Sequence, residues 1–266
     1  VPDATKWDPE HPNLYTLTAS LLDASGAPAQ TLTRQIGLRQ IELRGNQLFA
    51  NGQELKLRGI WGGSVQQAKN LNANHSRQKW VTQDYLEQAD KEGLWVLDEN
   101  PIDFAKFGAE SDPRFAYQWM SFVEDLIERD RDHPSVLLWG LGNESFTGPN
   151  VQATFRYASL EDPARPTTFS FANRVGVDQP LPYSVYSSHY PDMANPDTNL
   201  AGFTVAKWHS ESLIPLRNPV PVMPVLNDEY GHTVQNRALL TRDPNVRSFW
   251  GESLKRYWEK MFTTQG

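Results

Sequence analysis

Five carboxylates in this chain sit at the ends of short apolar runs: Asp98 and Glu99 in "LWVLDEN", Glu144 in "SVLLWGLGNE", and Asp228 and Glu229 in "PVMPVLNDEYGH". Runs of this length and composition read as buried strands, so each would hold its acid rigidly at a strand end. Two carboxyls facing each other across a cleft can break a glycosidic bond. One, kept protonated by its surroundings, donates to the leaving oxygen, while the other attacks the anomeric carbon. Attack calls for a separation of roughly 5–5.5 Å, whereas about 6.5–9.5 Å leaves room for a water and inverts the product. Glu144 and Glu229 lie on separate runs, and Asn143 precedes the first. A lone strand-end Glu is more often a solvated acid or half of an ion pair. Two at matching strand ends, one beside Asn, favour the catalytic reading.

The elements that must position these acids follow from the hydrophobic pattern. Residues 1–44 read as β: "LYTLTASLLD" alternates with the period of a half-buried strand, "ASGAPA" is a turn cluster, and "QTLTRQIGLRQIEL" resumes the alternation. Asn51-Gly52 is a hairpin signal, and "LKLRGI" reads as a strand. The pattern then changes to strands alternating with helices, the mark of parallel strands joined by crossovers. Helices are expected over "QKWVTQDYLEQADKEG", "DPRFAYQWMSFVEDLIERDRDH", "PNVQATFRYASLEDPARP" as far as Pro163, and "SFWGESLKRYWEKMFTTQG". Strands are expected over "LWVLDEN", "SVLLWGLGNE", "TTFSFAN", "PYSVYSSHYPD" and "PVMPVLNDEYGH". At least five βα units and no GxGxxG turn favour a (β/α)8 barrel over a doubly wound sheet. In such a barrel the strand C-termini converge on one mouth, where the acids fall.

Composition narrows the partners. The chain has 266 residues, 39% hydrophobic and 21% charged, with 11% aromatics and nine Trp. That aromatic content suits a ring-rich core and also a sugar-binding cleft. Net charge is −7 with no Lys/Arg run, which argues against nucleic acid and an anionic membrane as partners. No apolar stretch approaches the length of a membrane-spanning helix. With no cysteine there is neither disulfide nor thiolate chemistry. The compartment, cytoplasmic, periplasmic or secreted, stays open, as does assembly into a homo-oligomer.

"HPSVLLWGLGNES" resembles the acid/base strand of glycoside hydrolase family 2, which includes β-galactosidases, β-glucuronidases and β-mannosidases. "WDPEHPNLYTL" resembles the end of that family's immunoglobulin-like domain, and "IGLRQIELRGNQLFANGQELKLRGI" the passage into its barrel. "EGLWVLDEN" and "NDEYGHTVQN" are similar to the strand ending in Asp-Glu and to the nucleophile strand. The resemblance implies a (β/α)8 TIM barrel over residues 45–266, incomplete at its C-terminal end, preceded over residues 1–44 by the last strands of an immunoglobulin-like β-sandwich. It implies Glu144 as general acid/base, Glu229 as nucleophile and Asn143 as partner of the sugar 2-hydroxyl. Tyr190 matches a position where the family often places a Tyr bonded to the nucleophile; a core aromatic is an equal alternative. His189 and His232 are candidate pocket residues, Trp61 a candidate sugar platform, and Asp98 and Glu99 either substrate ligands or a structural pair. Trp139 is expected in the barrel wall.

Departures from the family qualify this reading. Family β-galactosidases continue the Asp-Glu strand to a second acid and a His that share magnesium with the acid/base. Here Asp103 keeps an acid but Ala105 stands at the His position. One carboxylate is a thin ligand set, so no obligatory metal and no cofactor are expected. "WGGSVQQAK" is short for a first crossover, implying a stunted helix or missing residues. In "NANHSR" the family's Arg position holds His75, with Arg77 two residues later, which leaves sugar contacts from this strand open. The reading is a retaining exo-β-glycosidase acting on an oligosaccharide or glycoside, β-galactosidase first because of "EYGH". The alternatives are a non-catalytic carbohydrate-binding barrel and a purely structural module.

Overall fold

The structure, a computed structural model, describes residues 3–105, 108–170, 183–189 and 223–229. The expected helix over "SFWGESLKRYWEKMFTTQG" lies outside them. An antiparallel hairpin comes first, β1 Tyr15–Leu22 and β2 Pro28–Ile36, followed by a small antiparallel sheet of β3 Ile41–Arg44, β4 Gln47–Ala50 and β5 Gln53–Glu54. Asn51 and Gly52 both take positive φ between β4 and β5, as a two-residue hairpin turn of the primed type demands. The alternation in β1 predicts one buried face. Instead both faces of the hairpin are largely exposed, Leu17, Leu21, Leu22 and Leu32 among them.

Next comes a sheet of seven parallel strands, paired in chain order: β6 Gly59–Trp61, β7 His75–Lys79, β8 Trp95–Glu99, β9 Val136–Asn143, β10 Thr167–Ser170, β11 Val185–His189 and β12 Val225–Glu229. The first and last strands touch, so the sheet curls nearly closed. With helices α1 Val65–Asn70, α2 Gln83–Glu92, α3 Ala116–Asp130 and α4 Pro149–Glu161 in the crossovers, this is the TIM-barrel arrangement. The stunted first helix is α1, six residues nucleated by a Ser64/Gln67 capping box. The α2 helix starts later than its apolar spacing suggests. Gln78 and Lys79 belong to β7, Trp80 turns into a left-handed conformation, and Thr82 caps the helix.

Alternation along β8 separates the two sides of the wall. Val96 joins the layer beneath the helices with Trp119, Val123, Leu126 and Ile127, and the buried Trp139 lies in the same layer. Leu97 faces inward with Leu137, Val185 and Trp95. Trp7 seals the bottom, packed edge-on against Trp95 at 4.8 Å and donating Nε1–H to the Asp90 carbonyl at 2.8 Å. Arg39 clamps the same end by donating to the carbonyls of Pro134 and Val136. The segment before the barrel thus plugs the end opposite the acids.

Gly140 matters for space. A Cβ there would meet the Cβ and Cα of Glu99 at 2.8 and 2.9 Å, so β8 and β9 approach where Glu99 must sit. Gly140→Ala is expected to cost about 1–3 kcal/mol through overpacking, measured by urea unfolding. A change within experimental error would show that the two strands can part.

Candidate active site

Each strand from β7 to β12 delivers a polar side chain to the mouth. Arg77 on β7 is almost wholly buried and forks onto Glu99 of β8, Nε to Oε2 at 2.8 Å and Nη2 to Oε1 at 3.0 Å. The same Nη2 donates to Asn143 Oδ1 at 2.8 Å, and Nη1 to Glu229 Oε1 at 2.8 Å. Nη1 also lies 3.5 Å from Asp228 Oδ2. Burial works against the Arg77 charge, yet Glu99, Asp228 and Glu229 outweigh it and hold its pKa above the usual range. Burial pushes the Glu99 carboxyl up, opposed by Arg77 and Lys79. Arg77 therefore bridges the fully buried Glu99 and the more open Glu229.

Asn143 ends β9 with its amide orientation determined by its partners. Oδ1 faces the donor-only guanidinium, and Nδ2 donates to Asp103 Oδ1 at 2.7 Å. The next residue, Glu144, takes a left-handed φ of 40°, and its N–H donates to the Ser170 carbonyl of β10 at 2.9 Å. A non-glycine residue pays for that backbone with strain, typically tolerated at functional sites. The turn swings Glu144 toward β11, where His189 Nδ1 lies 3.0 Å from Glu144 Oε1 and 3.7 Å from Glu229 Oε2. Glu144, His189 and Glu229 each place one donor or acceptor atom within 4.8 Å of the others. Both glutamates remain 20% exposed at the side chain, open enough to meet a ligand.

Beneath them, Asp228 accepts from Ser187 Oγ at 2.5 Å and from Ser170 Oγ, and lies 3.4 Å from His189 Nε2. Burial would raise its carboxyl, but His189, Arg77 and Ser170 bring it below the usual range. Burial likewise opposes a charged His189, while the hydrogen bond and charge of Asp228, then Glu229, outweigh it and raise the imidazole above 6.5.

The structure brings Glu144, Glu229, Asn143 and His189 together. Glu99 supports them from below, its oxygens held by Arg77, with the Ser170 hydroxyl that serves Asp228 lying 3.0 Å from its Oε2. Trp61 stands exposed at the rim, its backbone in register with Arg77. Asp98 is a correction. It points outward with Val96, fully buried, and burial followed by Asp130 of α3 pushes its carboxyl well above the usual range. It cannot reach a ligand at the mouth, because adjacent strand residues face opposite sides. Tyr190 and His232 lie outside the described residues. The sequence reading set Asp228 at a strand end and noted Arg77 without giving either a role at the mouth, and it did not single out Ser170. The signal for Arg77 was an arginine two residues along from the buried His75, on the same face of a strand whose last two residues, Gln78 and Lys79, were expected to open a helix.

A divalent cation does not fit at the Asp103 place. Asp103 is ion-paired with Lys79, which also lies 3.8 Å from Glu99, and Ala105 offers no ligand. A tethered ammonium already neutralises that carboxylate.

Residues 63–264 match the model of the TIM barrel domain of glycosyl hydrolases family 2, and residues 1–39 match a second model described as glycosyl hydrolases family 2. The chain belongs to glycosyl hydrolases family 2. It is 30% identical over 263 residues to a β-galactosidase of Vibrio vulnificus, covering 87% of this chain and 24% of that protein. It is 29% identical over 282 residues to a β-galactosidase of Photobacterium profundum, covering 94% and 25%. The chain thus spans about a quarter of the length of these curated relatives. Among solved structures, a family 2 β-galacturonidase from Eisenbergiella tayi bound to glycerol superposes with a TM-score of 0.75 at 21% identity, covering 99% of this chain and 50% of that one. β-Glucuronidase 3 of Bacteroides uniformis does so with 0.58 at 27% identity, covering 69% and 26%.

Removing Arg77 should expose the cost of its partners. Arg77→Met removes the hydrogen-bonded counter-charge of the buried Glu99 and leaves it Lys79 at 3.8 Å, at an expected loss of about 3–5 kcal/mol near pH 7. The loss should shrink at pH 5, where Glu99 can take up a proton, so urea unfolding at the two pH values checks both sign and size.

Proposed function

We propose that residues 45–266 form the catalytic domain of a retaining exo-β-glycosidase, with residues 1–44 contributing to an immunoglobulin-like sandwich. Glu229 attacks the anomeric carbon and Glu144 first protonates the leaving oxygen, then activates the water that releases the sugar. The observation that carries this reading is the approach of the two carboxylates, whose facing oxygens lie within 4.8 Å. That approach supports direct attack, which calls for carboxyls about 5–5.5 Å apart. Arg77 on Glu229 Oε1 fixes the attacking carboxylate, whose other oxygen lies 3.7 Å from His189 Nδ1. Asn143, fastened by Arg77 and Asp103, keeps a second amide hydrogen for the sugar 2-hydroxyl.

A terminal β-galactoside is the first substrate to try, a choice supported by the names of the curated relatives. Their lengths exceed that of this chain fourfold, and the names of the structural neighbours add β-galacturonides and β-glucuronides to the panel.

Glu229→Gln should abolish turnover of aryl β-glycosides, by at least about 10³-fold. Glu144→Gln should slow substrates with poor leaving groups by about 10²–10⁴-fold, and activated aryl glycosides far less. Product analysis by NMR should show retained configuration. Near-normal rates in both variants, or sugar binding in calorimetry with no hydrolysis by the unaltered protein, would favour the carbohydrate-binding alternative.

A further inference from the structure

His189 is the residue at this site whose surroundings ask for more than a pocket wall. Its side chain is fully buried. One nitrogen, Nδ1, faces both glutamates, 3.0 Å from Glu144 and 3.7 Å from Glu229, and the other, Nε2, lies 3.4 Å from Asp228. The Cα of His189 is in register with that of Glu229, just past an irregularity in the β11–β12 pairing, which brings the imidazole level with the two carboxylates. Asp228 is itself held by Ser170 and Ser187, so it is a fixed acceptor for Nε2–H.

Resting on the glycosidase reading above, we propose that His189 stores the proton that Glu144 delivers, and that the charge on Glu229 controls when it is released. His189 is a positioning residue acting through Glu144. In the resting site the imidazolium lies among Glu144 at the end of β9 and Asp228 and Glu229 on β12. Arg77 on β7 opposes its charge, with Glu99 on β8 and His75 on β7 behind it. In the first step the bond from the anomeric carbon to the leaving oxygen breaks and a bond to Glu229 forms. Glu229 thereby loses its negative charge, and His189 loses one of the two carboxylates that favour its cationic form. The Nδ1–H proton passes to Glu144 Oε1 as the Glu144 proton passes to the leaving oxygen, and His189 keeps Nε2–H on Asp228. In the second step water gives a proton to Glu144, which returns it to Nδ1. The water oxygen bonds to the anomeric carbon, the ester to Glu229 breaks, and the restored carboxylate favours the imidazolium again. One water enters, sugar and alcohol leave, and no other reactant is needed.

The test compares the unaltered protein with His189→Asn on aryl β-glycosides of graded leaving-group ability. The alkaline limb of kcat/KM should fall in the variant by about one to two pH units, the gap between imidazole and carboxyl ranges. Its rate loss should grow as the leaving group worsens, to about tenfold or more for unactivated alcohols. A second measurement needs no variant. ¹⁵N NMR of the His189 ring should show imidazolium in the free protein and neutral imidazole after Glu229 is trapped with a 2-deoxy-2-fluoro glycoside. A uniform rate loss with a superimposable pH profile, or a ring that keeps its charge on trapping, overturns the proposal while leaving the glycosidase reading intact. No hydrolysis by the unaltered protein overturns both.

Discussion

The buried fork of Arg77 on Glu99 is the interaction from which the rest of the mouth is built. Two charges are withdrawn from water there, which is costly unless the geometry satisfies both. The barrel meets that demand by letting β8 and β9 approach at Gly140, so that both Glu99 oxygens accept from the guanidinium, with the Ser170 hydroxyl 3.0 Å from Oε2. Because a guanidinium has five N–H donors in a rigid plane, the same group goes on to hold Asn143 and Glu229. Four strands are thereby fastened at one end by a single side chain.

Around that anchor the charges alternate. Arg77 separates Glu99 from Glu229, Lys79 neutralises Asp103, and His189 stands between Glu144, Glu229 and Asp228. Carboxylates this close repel one another unless cations or protons intervene. The site uses side-chain cations for that purpose, and the two glutamates nearest solvent are left facing each other. The strained backbone at Glu144 fits the same account, since an extended residue following Asn143 would continue the strand instead of turning toward β11.

Much of the fold is legible in the chain. Apolar runs punctuated by helical spacing mark the strands in order, and Asn51-Gly52 marks its turn by residue type. The miss at the start of α2 has a local cause. Trp80, Asp84 and Tyr85 share helical spacing, but pairing with β6 and β8 claims residues 75–79 for the sheet. The exposed β1–β2 hairpin shows the reverse limit. Its alternation records which face prefers burial, and nothing in the pattern says what covers it.

The sequence alone determined which acids close which strands, since residue type and the ends of apolar runs are local properties. It also determined the lack of cysteine chemistry and of a run of basic charge. Only the tertiary structure decided that Glu99 faces inward and Asp98 outward, because two adjacent acids at a strand end are equivalent until the sheet curls. It decided that Arg77, noted in the chain only for its place after His75, meets partners on β8, β9 and β12. The distance between Glu144 and Glu229 was likewise beyond the sequence. It depends on closure of a sheet across six strand pairings and on a left-handed turn at one residue, and both are set by packing far along the chain.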